Sequence, residues 1–106
     1  MEDCIFCKII NGEIPKEFDY QDDDIVAFAD IHPLSPVHIL IVPKKHIEDF
    51  FHADGKTILS ITAAIKKLID VKDVMGKGYK ITVNGGGAQD INHLHFHLRS
   101  PIGRGE

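Results

Sequence analysis

Three of the seven histidines in this 106-residue chain fall within five consecutive residues: His93, His95 and His97, in the run HLHFHLR. On an extended chain side chains alternate, so these imidazoles project from one face and Leu94, Phe96 and Leu98 from the other. One face is apolar enough to be core. The other presents three imidazoles whose neighbouring Cα atoms stand roughly 6.5–7 Å apart. Strand propensity does not select histidine at three alternate positions, so the pattern points to chemistry. It allows two forms. Two imidazoles at i, i+2 can chelate one metal, or a neutral imidazole can act as nucleophile while its neighbours orient it and hold an anionic substrate. The turn Asn84-Gly85-Gly86-Gly87-Ala88-Gln89 just upstream favours the second form. Glycine-rich turns can expose successive backbone N–H groups as an anion nest.

Cys4 and Cys7, the two cysteines of the chain, form a C-x-x-C. Zinc would need two further ligands, for which His46 and His93 are candidates, with His38 as a substitute. A redox pair and two ordinary buried thiols are the competing readings. Thioredoxin-like chemistry is disfavoured, because no strand pattern precedes this segment. His32 and His52 read as loop histidines, and Asp22-Asp23-Asp24 as a solvated turn.

The elements that must position these groups follow from periodicity. Residues 4–11 (CIFCKIIN) pair Ile5 with Ile9 and Phe6 with Ile10 at helical spacing, and Gly12 is a stop signal. Residues 17–21 read as a strand, as do the β-branched runs 25–30 and 37–42, with His32-Pro33-Leu34-Ser35-Pro36 as a loop between the latter two. Ile58, Ile61, Ile65 and Leu68 mark a long helix over residues 55–70 with Asp54 as its N-cap. Residues 79–84 and 93–99 alternate as strands. The expectation is an α+β fold with about five strands in an antiparallel meander, one long helix and a short N-terminal helix against one face.

Composition sets outer bounds. With 43% hydrophobic and 26% charged residues the chain has ordinary globular composition, and its length suits a single domain over residues 1–106. Sixteen acidic and twelve basic residues give a net charge of −4, which argues against a nucleic-acid polymer as partner but leaves room for one small phosphate ligand. No apolar run approaches the ~20 residues of a membrane span. Met1-Glu2-Asp3 lacks the basic start of a secretory signal, so a cytoplasmic protein is expected. A core this small gains from a metal or a second copy of the chain.

The run HLHFHL resembles the histidine triad (HIT) motif, His-φ-His-φ-His-φφ, in which Arg99 fills the last apolar place. CIFCKIINGEIP is similar to the family's opening helix, IVAFADIHPLSPVHILIVPKKHI to its central hairpin, and ITVNGGGAQDINHLHFHL to its nucleotide site. The resemblance covers nearly the whole chain and is nearest to the Hint-like, or protein kinase C inhibitor-like, branch of small nucleoside phosphoramidases. It implies a HIT-like fold and a homodimer that binds purine nucleoside monophosphates or their phosphoramidates and attacks the α-phosphorus. Position by position, it implies His95 as nucleophile, His97 as hydrogen-bond donor to phosphate or leaving group, and His93 and His38 as further groups at the site. Asp30 matches a ribose contact and Ile31 its base-stacking neighbour, with Ile5, Phe6, Ile9 and Phe28 as other base-pocket walls. Asn84, Gln89 and the backbone of Asp90 match phosphate contacts. Cys4, Cys7, His46 and His93 would then hold a structural zinc.

The departures from that pattern bear on activity. Asp90 stands where a Ser or Thr is usual, and the glycine loop is about two residues shorter than in many relatives. An Asp90 carboxylate aimed at the site would repel a phosphate and raise the pKa of neighbouring histidines. It would favour an alternative reading, a poorly catalytic nucleotide-binding regulatory module. Metal-dependent hydrolysis by the H-x-H strand is a third.

Overall fold

The computed structural model describes residues 3–105. In chain order the elements are α1 (Ile5–Ile10), β1 (Tyr20–Gln21), β2 (Ile25–Ala29), β3 (Val37–Pro43), a single 3-10 turn at Phe50–His52, α2 (Gly55–Val71), β4 (Lys80–Val83) and β5 (Phe96–Ser100). The fold is α+β, with a five-stranded, wholly antiparallel sheet, one long helix and a short N-terminal one. Both helices begin where capping chemistry directs. Asp54 accepts the Thr57 N–H at 2.9 Å, and Cys4 Sγ accepts the Cys7 N–H at 3.3 Å. Gly12, at φ +81°, follows the Asn11 C-cap of α1.

The connectivity departs from a simple meander. The strand order is β1-β2-β3-β5-β4, so the chain passes through α2, forms β4 at the edge, and returns to place β5 between β3 and β4. The triad strand is therefore interior. Its regular part is also shorter than alternation suggests: pairing starts at Phe96, and His93 and His95 lie on the irregular approach, where the Leu94 N–H is tied to the Ile47 carbonyl at 2.7 Å. At the other end only Tyr20–Gln21 pairs as the first strand.

The helices cover opposite faces of the sheet, not one. Ile25, Ala27, Ile39, Ile41 and Leu98 pack with Ile61, Ala64, Ile65 and Leu68 of α2. On the reverse face Val26, Phe28, Leu40 and Val42 pack with Phe6 and Ile9 of α1. The unbroken apolar runs of β2 and β3 have this cause, since a strand covered on both sides has no solvent face to mark with polar residues. Pairing of β3 with β5 sets Leu40 opposite His97 and His38 opposite Arg99, which puts these polar groups on the α1 face.

The end of β5 is held by one backbone carbonyl. Gly78 O accepts from Ser100 Oγ (2.7 Å) and from Ile102 N–H (3.0 Å). Gly78 has φ +81°, and a Cβ there would collide with the Ile102 carbonyl oxygen. Gly76, at φ +83°, faces open space. Gly78→Ala is expected to cost at least about 2 kcal/mol and lower Tm by roughly 10 °C, against about 1 kcal/mol for Gly76→Ala. Thermal denaturation of the two variants side by side checks this.

Candidate active site

The site grows from hydrogen bonds that fix which imidazole nitrogens carry protons. The Leu34 N–H donates to His38 Nδ1 at 3.0 Å, so that nitrogen holds a lone pair and His38 Nε2 carries the proton. His38 Nε2–H then donates to His97 Nδ1 at 2.9 Å, leaving His97 Nε2–H free as a donor. His95 Nδ1–H donates to the His93 carbonyl at 2.8 Å, which leaves the lone pair on His95 Nε2. His93 Nε2–H donates to the Pro43 carbonyl at 2.8 Å, and its Nδ1 lone pair faces the cysteines. One backbone amide and two backbone carbonyls thereby set four tautomers.

The rings are close-packed and mostly dry. The His95 and His97 centroids are 5.1 Å apart, those of His97 and His38 5.2 Å, and Phe6 meets His95 edge-on at 5.0 Å. Burial is the largest cause holding His38 and His97 below the ordinary imidazole pKa of 6.5, with the Arg99 charge adding to it and Asp30 opposing it. Both are therefore neutral at pH 7, the state the relay requires. Asp30 Oδ1 accepts the His32 N–H at 2.9 Å, and its Oδ2 lies 3.5 Å from His38 Nε2.

The other expected contacts are distributed unevenly. Phe6, Ile9 and Phe28 belong to the buried cluster under α1, whereas Ile5 and Ile31 are exposed and open to a ligand. Asn84 and Asp90 are exposed. The His38, His93 and His97 pKa values are lowered, not raised, and the carboxylate acting on His38 and His97 is that of Asp30. The expectation that Asp90 raises the pKa of the neighbouring histidines is corrected accordingly; the residue itself is exposed.

The glycine turn is not the anion nest its composition suggests. Three of its N–H groups are spent internally: Gly86 N–H on Asp49 Oδ2 (3.0 Å), Gly87 N–H on Gln89 Oε1 (3.1 Å) and Ala88 N–H on Gly85 O (3.2 Å). Gln89 Nε2 donates in turn to the Glu48 carbonyl at 3.2 Å, so its side chain braces the loop. Among the described residues the backbone N–H groups of Gln89 and Asp90 have no partner, and these are the donors an anion can use. Asp49, which the sequence reading passed over, also binds His52 Nδ1 at 2.7 Å. The Gly86 N–H, then His52, hold its carboxyl below the usual carboxylate range. No periodic pattern marks such a residue; its partner lies 37 positions away.

Cys4, Cys7, His46 and His93 converge into a cluster whose four ligand atoms lie within 4.8 Å of one another. Cys4 Sγ stands 3.2 Å from His93 Nδ1, and Cys7 Sγ 3.4 Å from His46 Nδ1 and 3.6 Å from His93 Nδ1. Two sulfurs and two imidazole nitrogens ~2.0–2.3 Å from one ion at tetrahedral angles would be separated by roughly these distances. Burial, followed by the neighbouring Cys4, pushes the Cys7 thiol up to about 11. A cation is what would let both sulfurs ionise. The cluster can hold a metal, and His38 lies outside it, in the triad relay.

With this geometry in place the class is defined, and the sequence agrees with it. Residues 11–102 match the HIT domain family, and the chain belongs to that family. It is similar to an uncharacterized HIT-like protein of Methanocaldococcus jannaschii, 44% identical over 98 residues that cover 90% of this chain and 76% of the relative. A 14 kDa zinc-binding protein of Brassica juncea is 39% identical over 102 residues, covering 91% and 90% respectively. The solved structure of a HIT family hydrolase from Clostridium thermocellum superposes with a TM-score of 0.92 at 35% identity, covering 100% of this chain and 96% of that one.

The Asp49 clamp is open to direct measurement. Asp49→Ala is expected to speed amide hydrogen exchange at Gly86 by about tenfold or more while the α2 core exchanges as before. Unchanged exchange at Gly86 would show that the loop is held without the carboxylate.

Proposed function

We propose that this protein is a purine nucleoside phosphoramidase, acting at the α-phosphorus through a nucleotidyl-His95 intermediate. The observation that carries the reading is the tautomer of His95. Its Nδ1–H is occupied by a buried carbonyl, so Nε2 is the nucleophilic atom and needs no proton removed before it attacks. In the first step His95 Nε2 forms a bond to phosphorus, and the bond from phosphorus to the leaving nitrogen breaks. That nitrogen keeps the electron pair and takes a proton from water. His97 Nε2–H stabilises the charge by donating a hydrogen bond. It does not give up its proton, because the relay behind it ends at the Leu34 amide, which has none to supply. In the second step water attacks phosphorus, and the bond from phosphorus to His95 Nε2 breaks with its electron pair returning to the imidazole. The attacking water releases to solvent the proton that replaces the one the amine took up, as nucleoside monophosphate is released.

Substrate contacts follow from the same placement. Asp30 accepts from the ribose hydroxyls, Ile5 and Ile31 flank the base, and a larger flat purine buries more apolar area between them. Asn84 and the backbone N–H groups of Gln89 and Asp90 hold the phosphate. The regulatory-module reading needs an Asp90 carboxylate that raises the pKa of the neighbouring histidines, and those of His38, His93 and His97 are lowered instead. Zinc held by Cys4, Cys7, His46 and His93 would fill a closed Cys2His2 site, with no position left for substrate, and so serve structure. We further infer a cytoplasmic homodimer. The exposed Leu59 on α2 and Ile81 on the edge strand β4 support a second copy, and among the described residues no helix is long and apolar enough to cross a membrane.

Two outcomes are expected. Mixing the protein with an adenosine 5′-phosphoramidate should give a mass increase of one nucleotidyl group. His95→Ala should lose that adduct and at least about 10³-fold in turnover while keeping its fold. An adduct on the His95→Ala protein would overturn the assignment. Zinc should be found by elemental analysis of protein purified without chelator. Its removal should lower Tm by roughly 10 °C or more, with activity lost only as the fold loosens.

A further inference from the structure

The sheet register that assembles the histidines also builds a second feature beside them. On the α1 face, one row of residues runs across the sheet from the end of β2 to β4: Asp30, His38, Arg99, Lys80. The two acceptor atoms of the Asp30 carboxylate are turned to the His32 N–H and to His38. Arg99 and Lys80 face each other directly across the strand pair, and among the described residues neither has a carboxylate within ion-pair distance. Arg99 Nε is buried without a hydrogen-bond partner, the one such side-chain atom among the described residues. Like charges directly opposite each other on a sheet are destabilising, and a buried unpaired donor adds a further cost. An arrangement of this kind is completed by an anion. Arg99 also stands where the triad motif otherwise carries an apolar residue, so packing alone does not call for a guanidinium there.

Position relative to the nucleophile says which part of a substrate would reach it. Phosphoryl transfer displaces its leaving group roughly in line, on the side of phosphorus away from the attacking atom. Along the chain, His95, His97 and Arg99 occupy successive alternate positions, and β5 carries His97 and Arg99 on one face. A leaving group pushed off by His95 past the His97 donor emerges toward Arg99. Asp30, the ribose contact, lies on the opposite side of His38 from Arg99, so the nucleoside and the leaving group would occupy different halves of the row. β5 is paired on both sides, and the Ser100 and Ile102 bonds to Gly78 brace its end, so the guanidinium is presented from a fixed backbone.

We propose that Arg99 and Lys80 form a leaving-group subsite that selects amines carrying a terminal anionic group, a carboxylate or a phosphate. The planar fork of Arg99 matches either group in two parallel hydrogen bonds, and Lys80, exposed at the edge strand, supplies a second charge. This proposal rests on the phosphoramidase reading and adds to it the chemistry of the leaving group.

The test uses the full chain and adenosine 5′-phosphoramidates that differ only in the leaving amine: β-alanine, its neutral carboxamide, and 2-aminoethyl phosphate. The native protein is expected to favour at least one anionic substrate over the carboxamide by about tenfold in kcat/KM, and the ranking of the two anions identifies the source. Arg99→Leu restores the motif's apolar residue and should bring that ratio close to one, whatever its absolute rate. Lys80→Gln should reduce the ratio part of the way. A ratio near one in the native protein would overturn the subsite while leaving the phosphoramidase reading intact, as would a preference that survives in Arg99→Leu. Failure to turn over any of the three, with no nucleotidyl adduct, would overturn the phosphoramidase reading and this proposal with it.

Discussion

The arrangement of this protein depends on how the residue at position 93 is held. The His93 side chain donates to the Pro43 carbonyl and turns its other nitrogen toward the cysteines, while its own carbonyl accepts the Nδ1 proton of His95. One fully buried residue therefore joins α1, the end of β3 and His95. Any shift that tilts its peptide plane misdirects the His95 lone pair, because imidazole has only one lone pair to offer in a given tautomer. A metal bound by Cys4, Cys7, His46 and His93 would act on the chemistry through this residue, by fixing a backbone carbonyl, without touching the substrate.

The same logic of supply from the backbone extends through the site. His38 and His97 are arranged by the Leu34 amide, a group that cannot titrate. Burial keeps both rings neutral near pH 7, so the relay stays directional where exposed imidazoles would begin to protonate. The glycine turn is organised comparably, but by side chains. Asp49 and Gln89 take the N–H groups of Gly86 and Gly87, which braces the turn. The glycines serve backbone conformation, with Gly86 and Gly87 at φ +65° and +94°. They are not themselves the anion cradle.

Placing β5 between β3 and β4 gives the site its two sides. An edge strand could bring His97 against one neighbour only; an interior strand sets it opposite Leu40 and Thr82 at once and sets Arg99 opposite His38 and Lys80. A negative carboxylate at the β2 end and two cations at the β4 end form a charge gradient across four strands, in a chain whose net charge is −4.

Much of this was legible in the residues alone. The C-x-x-C, the caps at Asp54 and Gly12, and the apolar runs of β2 and β3 are local signals, and local geometry obeys them; the triad spacing is local too, though of its three histidines only His97 falls within β5. Helical and strand periods identify which residues share a face, but not which face meets which helix. For that reason α1 and α2 were expected on one side of a sheet that they in fact enclose. A meander was the simplest way to join strands read in order. The insertion of β5 depends on pairing across the whole of α2 and β4, a long-range choice that no short window contains. The Asp49 clamp and the orphaned Arg99 Nε were invisible for the same reason. Whether a polar atom is satisfied depends on partners tens of residues away, and only the folded chain brings them within hydrogen-bond reach.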